Sequence, residues 1–239
     1  EAAWVDMIRG ATRMIYAESQ YFASRRIAHA IAARLSGEDP PEIVIVTPSS
    51  VDGWLEPLAM DTARAKLVEA LRRIDGKDRL RIYHPQTAGG APIYVHAKVM
   101  LVDDRVLRVG SSNFNNRSMR LDTECDVILS ADAPGNAHLS DEIARLRDDL
   151  LAEHLGVAPE AVTAKIAETG SLIAAVETLR GGGRTLVPYE IPELSGFAGW
   201  LAENEILDPN GPDEIFESTA KRGLFKGWSR LRPRFRRQR

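Results

Sequence analysis

The segment EIVIVTP, residues 42–48, restricts the fold of this chain more than any other stretch. It is an apolar, largely β-branched run that ends at Pro48, which is typical of a fully buried strand. A helical pattern precedes it, because the apolar residues at 27, 31 and 35 share one helical face. Buried strands that alternate with helices indicate an α/β domain with a mixed β-sheet flanked by helices.

The same alternation continues along the first 180 residues. Strands are predicted at 14–19, 42–48, 79–84, 94–102, 106–112 and 123–130, and helices at 2–13, 24–35, 58–74, 138–155, 159–168 and 171–180. Residues 1–180 are therefore predicted to form one α/β domain. Gly and Pro punctuate residues 181–220, which predicts an irregular C-terminal wrap over the surface. Residues 221–239 form a separate tail.

This tail, KRGLFKGWSRLRPRFRRQR, separates the charges of the chain. It holds nine of the 31 Lys and Arg residues and none of the 34 acids, which leaves the preceding 220 residues with a formal charge of −12. Its apolar residues at 224, 228, 231 and 235 are spaced for one helical face, which Pro233 interrupts. A basic segment with an aromatic stripe suits the anionic surface of a phospholipid membrane. We expect the tail to dock there.

The sequence contains no run of 18 or more apolar residues, so no membrane-spanning helix is predicted. The first residue is Glu, and no signal segment follows it. From this we expect an interior piece of a longer chain, cytoplasmic or peripherally bound to a membrane. The single cysteine, Cys125, excludes an intramolecular disulfide framework.

Residues 95–118, VHAKVMLVDDRVLRVGSSNFNNRS, carry more polar chemistry than a buried hairpin needs. The sequence DDR is typical of a turn between two antiparallel strands. Side chains two residues apart share a face of a strand, so His96 and Lys98 should point the same way. The returning strand would bring Ser111 and Asn113 back beside them.

Asp103 cannot join this group of side chains. It follows His96 by seven residues, which is about 23 Å along an extended strand. We therefore interpret Asp103, together with Gly110 on the returning strand, as structural.

A Lys and an Asn beside a His make a site rich in hydrogen-bond donors, as a phosphate oxyanion requires. The His can attack phosphorus or pass a proton to the leaving oxygen. A carboxylate should hold the other ring nitrogen of His96. Glu124 is the candidate for this acid, and Asp122 and Asp126 are its rivals.

These residues resemble the His-Lys-Asp motif of the phospholipase D superfamily. The motif is complete in this sequence, at His96, Lys98, Asp103, Gly110, Ser111 and Asn113. The similarity continues through NFNNRSMRLDTE at 113–124, which ends in the Glu that pairs with the His in the family, and through IYAESQYF at 15–22 and LLAEHLG at 150–156. The segment IYAESQYF resembles the strand that opens the second half of these enzymes. The chain is thus similar to their C-terminal, second-motif half.

The resemblance implies that residues 1–180 are a catalytic half-domain, one half of a pseudo-two-fold pair. It implies an enzyme that hydrolyses or transfers phospholipid headgroups of the phosphatidylcholine type through a covalent phosphohistidine, without metal or other cofactor. In such a site His96 would act as general acid and base, opposite a nucleophilic His from the first motif. Phosphate would be bound by Lys98, Ser111 and Asn113, and Gln20 and Asn115 would line the pocket.

Family enzymes place two motifs around one active site, and this sequence contains one. The other histidines, at 29, 84, 138 and 154, have no Lys two residues later and are interpreted as surface or core side chains. A second His-Lys-Asp half is therefore an expected partner. It would come from an N-terminal segment of the parent chain, which the character of IYAESQYF favours, or from a second copy of this chain.

Three other functions are compatible with the same motif. The first is a single-motif, homodimeric nuclease, but a nuclease body should be basic to hold a polyanion. With a formal charge of −12 on residues 1–220, no nucleic-acid partner is expected. The others are a transferase of the cardiolipin synthase type and a non-catalytic membrane-docking half.

Overall fold

The computed structural model describes residues 1–50 and 56–192 and confirms the α/β class. Its elements in chain order are α1 (Ala2–Gly10), β1 (Met14–Ser19), α2 (Arg25–Leu35), β2 (Glu42–Val46), α3 (Glu56–Ile74), β3 (Leu80–Gln86), β4 (Lys98–Val102), β5 (Val106–Gly110), β6 (Asp126–Ser130), α4 (Leu139–Leu155), α5 (Pro159–Thr169), α6 (Leu172–Leu179) and β7 (Thr185–Pro188). A short π-helix, Arg117–Leu121, lies between β5 and β6.

The strands form one mixed seven-stranded sheet in the order β6-β5-β4-β1-β2-β3-β7. The three strands β1, β2 and β3 are parallel, and every other neighbouring pair is antiparallel. Consecutive strands β4, β5 and β6 form a meander that joins the parallel strands through the pairing of β4 with β1. Ser19, the last residue of β1, pairs with Lys98, the first residue of β4. The polar hairpin therefore meets the carboxyl end of a central parallel strand, where open α/β sheets commonly bind ligands.

Alternate residues of the central strands divide the core into two layers. Side chains such as Ile15, Ile43 and Ile82 are buried with the apolar faces of α1, α2 and α3. Their neighbours, such as Tyr16 and Val44, are buried on the other side with α4, α5 and α6. Because the central strands are covered on both faces, their sequences lack the polar alternation of a half-exposed strand.

The structure corrects the predicted start of the hairpin. Strand β4 begins at Lys98 rather than at residue 94. The ladder partner β1 ends at Ser19, so residues 94–97 have no strand beside them. Instead Ile93 donates its N–H to the carbonyl of Pro85 (2.9 Å). His96 therefore lies in an irregular segment just before the strand.

Two further elements differ from the prediction. Residues 185–188, expected in an irregular wrap, form β7, which pairs antiparallel with β3. Three residues between GGGR and Pro188 are too few to show a strand pattern, although Leu186 is fully buried. The π-helix was not predicted either. The basic tail and residues 193–220 lie outside the described residues, so their predicted roles stay predictions.

Candidate active site

Lys98 lies at the open end of the sheet with its ammonium group held in place. Its Nζ donates to the carbonyl of His96 (2.6 Å) and to Oε1 of Gln20 (3.3 Å). The amide of Gln20 in turn donates to the hydroxyl of Tyr94 (2.8 Å). A Lys ammonium has three N–H donors, so one of them has no partner in the described part of the chain. Gln20, expected to line the pocket, is buried beside the ammonium.

The pKa of Lys98 lies below its ordinary value. Burial is the main cause, the carboxylate of Glu124 opposes it, and the positive charge of Arg108 lowers the pKa further. The site therefore combines a partly desolvated cation with a second cation and an acid nearby. An anion bound here is attracted more strongly than one beside an exposed lysine.

His96 is exposed, and its ring stacks on that of Tyr94 with centroids 6.4 Å apart. Among the described residues, neither ring nitrogen has a hydrogen-bond partner. Both nitrogens are therefore available to a ligand or to a group from another domain.

The expected bond between His96 and an acid is not formed. Glu124 instead accepts a hydrogen bond from the hydroxyl of Ser111, whose oxygen also accepts from the N–H of Cys125 (2.9 Å). Of the rival acids, Asp122 is paired with Arg117 (2.8 Å). The other rival, Asp126, is bound by Arg108 and Ser112. The hairpin thus brings Ser111 and Glu124 together and leaves His96 apart from both.

Residues 111–115, here called the motif loop, are anchored through Phe114. Its N–H donates to the hydroxyl oxygen of Ser19 (3.1 Å), and its carbonyl accepts from Ala23 and Ser24 (2.7 and 2.9 Å) at the start of α2. The Phe114 ring packs edge-on against Trp4, with centroids 4.8 Å apart. These contacts fix the loop to β1 and α2, so the carboxyl end of β1 and the motif loop act as one unit.

Two asparagines of the loop have different surroundings. Asn113 is buried, and within the described ranges its Oδ1 has no hydrogen-bond partner. An unpartnered buried amide oxygen is costly, which makes Asn113 a candidate for contact with a bound ligand. Asn115, expected to line the pocket, accepts from the N–H of Ser118 (3.2 Å), so its observed contact is with the π-helix.

Asp103 lies at the opposite end of the hairpin, away from this cluster. It and Asp104 form the turn, with φ of 55° and 56°, and the N–H of Arg105 donates to the carbonyl of Val102 (2.9 Å). Two left-handed residues in a two-residue hairpin are the type I′ arrangement.

The Asp103 carboxylate accepts from the N–H groups of Thr12, Arg13 and Met14 at 2.7–2.8 Å. Burial raises its pKa, but these backbone donors and the Thr12 hydroxyl outweigh burial, so the pKa lies below its ordinary value. The turn is thereby tied to the start of β1.

Gly110 lies at a close approach between β5 and the segment that leads into β6. It pairs with Asp126, and a Cβ at this position would overlap the Asp126 carboxylate and the carbonyl of Cys125. The close approach, rather than an unusual φ, therefore requires glycine here.

Three of the other histidines are surface or core side chains, and His84 is half-buried and lines a cavity at the end of β3. His29 and His138 are exposed. His154 is buried, and its Nε2 lies 3.1 Å from Oε1 of Glu18. That carboxylate oxygen also accepts from the hydroxyl of Tyr16 (2.6 Å).

A cavity of about 500 Å³ lies at the carboxyl ends of β2 and β3. Buried Arg64 lines it and donates to Thr47 Oγ1 (3.2 Å), the carbonyls of Pro48 (2.6 Å) and Ser49 (2.8 Å), and Asp61 (2.8 Å). All four N–H bonds of its two terminal nitrogens are thus used within the protein, while its Nε is buried without a partner among the described residues. The cavity is separate from the cluster around β4.

The sequence did not indicate a role for Arg108 and Trp4, which contact Lys98 and Phe114 from the core. Arg108 is fully buried in β5, where a strand pattern predicts an apolar side chain. The signal that could have identified Arg108 is its position in the hairpin that carries the motif. Within residues 1–50 and 56–192, no three His, Cys, Asp or Glu side chains are grouped to hold a metal ion. No helix in these ranges is long and apolar enough to cross a bilayer.

Comparison with known proteins identifies relatives of this chain. A family model described as "Cardiolipin synthase, PLD-like domain" matches residues 4–147. Phospholipase D alpha 2 of Oryza sativa subsp. japonica is 36% identical over 91 residues, which are 36% of this chain and 11% of that protein. Cardiolipin synthase A of Pseudomonas putida is 30% identical over 125 residues, which are 52% of this chain and 23% of that protein. The chain thus spans less than a quarter of the length of either relative.

Solved structures give weaker similarities. Nuc of Salmonella typhimurium, a phospholipase D family member, has a TM-score of 0.42 and 15% identity and covers 62% of this chain and 84% of its own. Phosphatidylserine synthase of Haemophilus influenzae Rd KW20 has a TM-score of 0.43 and 20% identity, with 60% of this chain and 34% of its own covered.

Proposed function

We propose that this chain, which belongs to the cardiolipin synthase, phospholipase D-like domain family, cleaves or transfers the phosphodiester bond of a phospholipid headgroup. The observation that carries the proposal is the state of Lys98. Two of its N–H donors are fixed by His96 and Gln20, and the third has no partner among the described residues. A phosphate oxygen is the ligand that such a partly desolvated group of donors binds best.

The proposed reaction proceeds through a phosphohistidine. A His from a second motif attacks phosphorus, and the bond to the headgroup oxygen breaks as His96 donates its proton to that oxygen. Water or an alcohol then gives a proton to His96 and attacks phosphorus, and the phosphorus–nitrogen bond breaks. Lys98, Ser111 and Asn113 hold the phosphate oxygens, whose negative charge increases in each transition state.

We assign the acid that balances protonated His96 to Glu124. The rivals Asp122 and Asp126 are already held by arginines, whereas the described partner of the Glu124 carboxylate is the Ser111 hydroxyl. When phosphate binds, that hydroxyl can donate to a phosphate oxygen instead. Glu124 is then free to accept from the imidazolium.

A second His-Lys-Asp domain is proposed to complete the site along the meander. Among the described residues, β6 is the edge strand of the sheet. Val109 on β5 and Val127 and Leu129 on β6 share a face, and these three side chains and Ile128 on the opposite face are 40–53% exposed. Exposed apolar side chains on an unpaired strand edge are typical of an interface. Val109 and Val127 pair on this ladder, and the next pair along it, Gly110 with Asp126, adjoins the motif loop.

Phospholipid is favoured over nucleic acid as the substrate because of charge. Residues 1–220 carry a formal charge of −12, which repels a polyanion. The relatives named above are a phospholipase D and a cardiolipin synthase. With water as the acceptor, the reaction would be that of a phospholipase D. With a lipid alcohol as the acceptor, it would be that of a cardiolipin synthase.

The test uses the complete enzyme, with both motifs present, and measures headgroup release from phosphatidylcholine vesicles. His96→Ala should lower turnover by about 10²–10⁴-fold, the usual contribution of a general acid–base group. His29→Ala, at an exposed position on α2, is the matched control and should leave turnover unchanged. Wild-type turnover in His96→Ala would overturn the proposal. Adding phosphatidylglycerol as acceptor and analysing the products separates transfer from hydrolysis.

A further inference from the structure

Arg108 is an unexpected residue for the middle of a strand. Its side chain is only 1% exposed, although arginine is almost never fully buried unless it is paired. One terminal nitrogen donates to the carbonyl of Lys98 (2.9 Å), and the other is ion-paired with Asp126. The guanidinium lies over the ring of Trp4, 3.9 Å from its centroid.

These contacts continue into the motif loop. The Asp126 carboxylate that pairs with Arg108 also accepts from the N–H of Ser112 (3.3 Å) and from its hydroxyl. A continuous chain of polar contacts therefore runs from Lys98 on β4, through Arg108 on β5 and Asp126 on β6, to Ser112. Its two ends adjoin two groups assigned to phosphate, Lys98 itself and the loop that carries Ser111 and Asn113.

Stability alone does not account for this arrangement. Even a fully buried ion pair can often be replaced by apolar side chains of similar shape without loss of stability, and here the Asp126 side chain is 25% exposed. An apolar residue at position 108 would also suit the neighbouring core. What an apolar residue cannot do is bond the Lys98 carbonyl and the Asp126 carboxylate at once.

We infer that Arg108 is a positioning residue of the active site, which fixes the backbone of Lys98 on one side and, through Asp126, the motif loop on the other. The inference rests on the phosphodiesterase function proposed above. The charge of Arg108 has a second effect, because it lies close enough to Lys98 to lower the pKa of that ammonium. Arg108 thus acts on the phosphate site through geometry and through charge without touching the substrate.

Two variants test these effects, because they should shift the pKa of Lys98 in opposite directions. The full chain, with its lysines labelled with ¹³C, is titrated by NMR and the pKa of Lys98 is read from its ¹³Cε shift. Arg108→Met removes a cation and frees the Asp126 carboxylate, so the pKa of Lys98 should rise. Asp126→Asn removes the acid and leaves the arginine unbalanced, so the same pKa should fall. Arg105→Met is the control, since Arg105 pairs with Asp132 at the exposed turn end of these strands, and it should change nothing.

Turnover of the complete enzyme then tests the positioning role. Arg108→Met and Asp126→Asn should each lower kcat/KM by roughly 10²-fold, the effect of a misplacement of about 1 Å. Arg108→Lys, which keeps the charge, should recover part of this loss. We expect this loss of kcat/KM in each variant that keeps the wild-type melting temperature.

Wild-type kcat/KM and an unchanged Lys98 pKa in a folded Arg108→Met variant would overturn the inference. If Arg108→Met does not fold, the same criterion applies to Asp126→Asn. The Lys98 titration does not depend on turnover. A failure of the proposed function would therefore show in the His96 variant while the Lys98 pKa still shifted.

Discussion

Asp103 belongs to the motif but lies at the far end of the hairpin from Lys98. Its carboxylate collects three backbone N–H groups from residues 12–14, and its left-handed backbone forms the turn. The spacing of the motif predicted a structural role, because seven residues of strand separate Asp103 from His96. The partner of the carboxylate was not predictable, because a contact across 90 residues leaves no trace in local sequence.

We predict that Asp103→Asn destabilises the fold by about 1.5–3 kcal/mol at pH 7, the range for a hydrogen bond to a charged group. Asn tolerates left-handed backbone, so the substitution tests the carboxylate rather than the turn. The pKa of Asp103 is lowered in the fold, so its contribution is complete above the unfolded pKa of about 3.9. It is lost as pH falls through the lower folded pKa.

Unfolding in urea at pH 7 and near pH 3 measures this difference. The difference in the free energy of unfolding between wild type and Asp103→Asn should be smaller at the acidic pH. Asp132→Asn, at an exposed ion pair, should cost less than about 1 kcal/mol at pH 7. If Asp103→Asn lost turnover but kept its stability, Asp103 would act in the reaction and the structural interpretation would be wrong.

At the scale of the elements, the pairing of β5 with β6 places Glu124 and Asp126 beside the motif loop. Both strands were predicted from sequence, and their pairing follows from adjacency. Two features had no such signal. The start of β4 depends on where β1 ends, and β7 depends on the free edge of β3, so both are decided by tertiary partners rather than by local pattern. Arg108 was missed for a related reason, because its partners lie on strands other than its own.

Gly110→Ala should separate the two strands locally. The added methyl would overlap the carbonyl of Cys125, and relief of such overpacking typically costs 1–3 kcal/mol. We expect a lower melting temperature and weaker phosphate affinity, measured by ³¹P NMR with inorganic phosphate. Gly10→Ala, at a helix end where a Cβ meets nothing within 4 Å, is the control and should be neutral. Equal melting temperatures for Gly110→Ala and wild type would contradict the close-approach argument.

At the scale of the whole molecule, charge is divided between an acidic body and the basic tail of residues 221–239. Each adsorbed Lys or Arg contributes about 1 kcal/mol at an anionic surface, so a few of the nine basic residues would suffice to hold the protein there. The composition of the tail made this prediction possible. The proposed second half of the active site could not be predicted in detail, because this sequence contains one His-Lys-Asp motif.

Deleting residues 221–239 should weaken co-sedimentation with vesicles that contain phosphatidylserine. The loss should be greatest at low salt, where attraction is least screened. Turnover of a short-chain, water-soluble substrate by the complete enzyme should survive the deletion. Equal binding to neutral phosphatidylcholine vesicles with and without the tail is the expected control result. Equal binding to anionic vesicles would rule out the docking role.

The single ladder between β1 and β4 has a consequence for how the protein loses activity. The meander of β4, β5 and β6 pairs with the parallel strands along this ladder, here called the seam. The active site lies across the seam, with Gln20 on one side and Lys98 on the other. Both layers of the core cross the seam, since Met100 is buried with Ile15 and Leu101 with Tyr16. Fraying at the open end alone would separate Gln20 from Lys98 while these buried side chains stayed packed. Inactivation by mild denaturant is therefore expected to precede global unfolding, so the catalytic unit has a lower local stability than the fold that carries it.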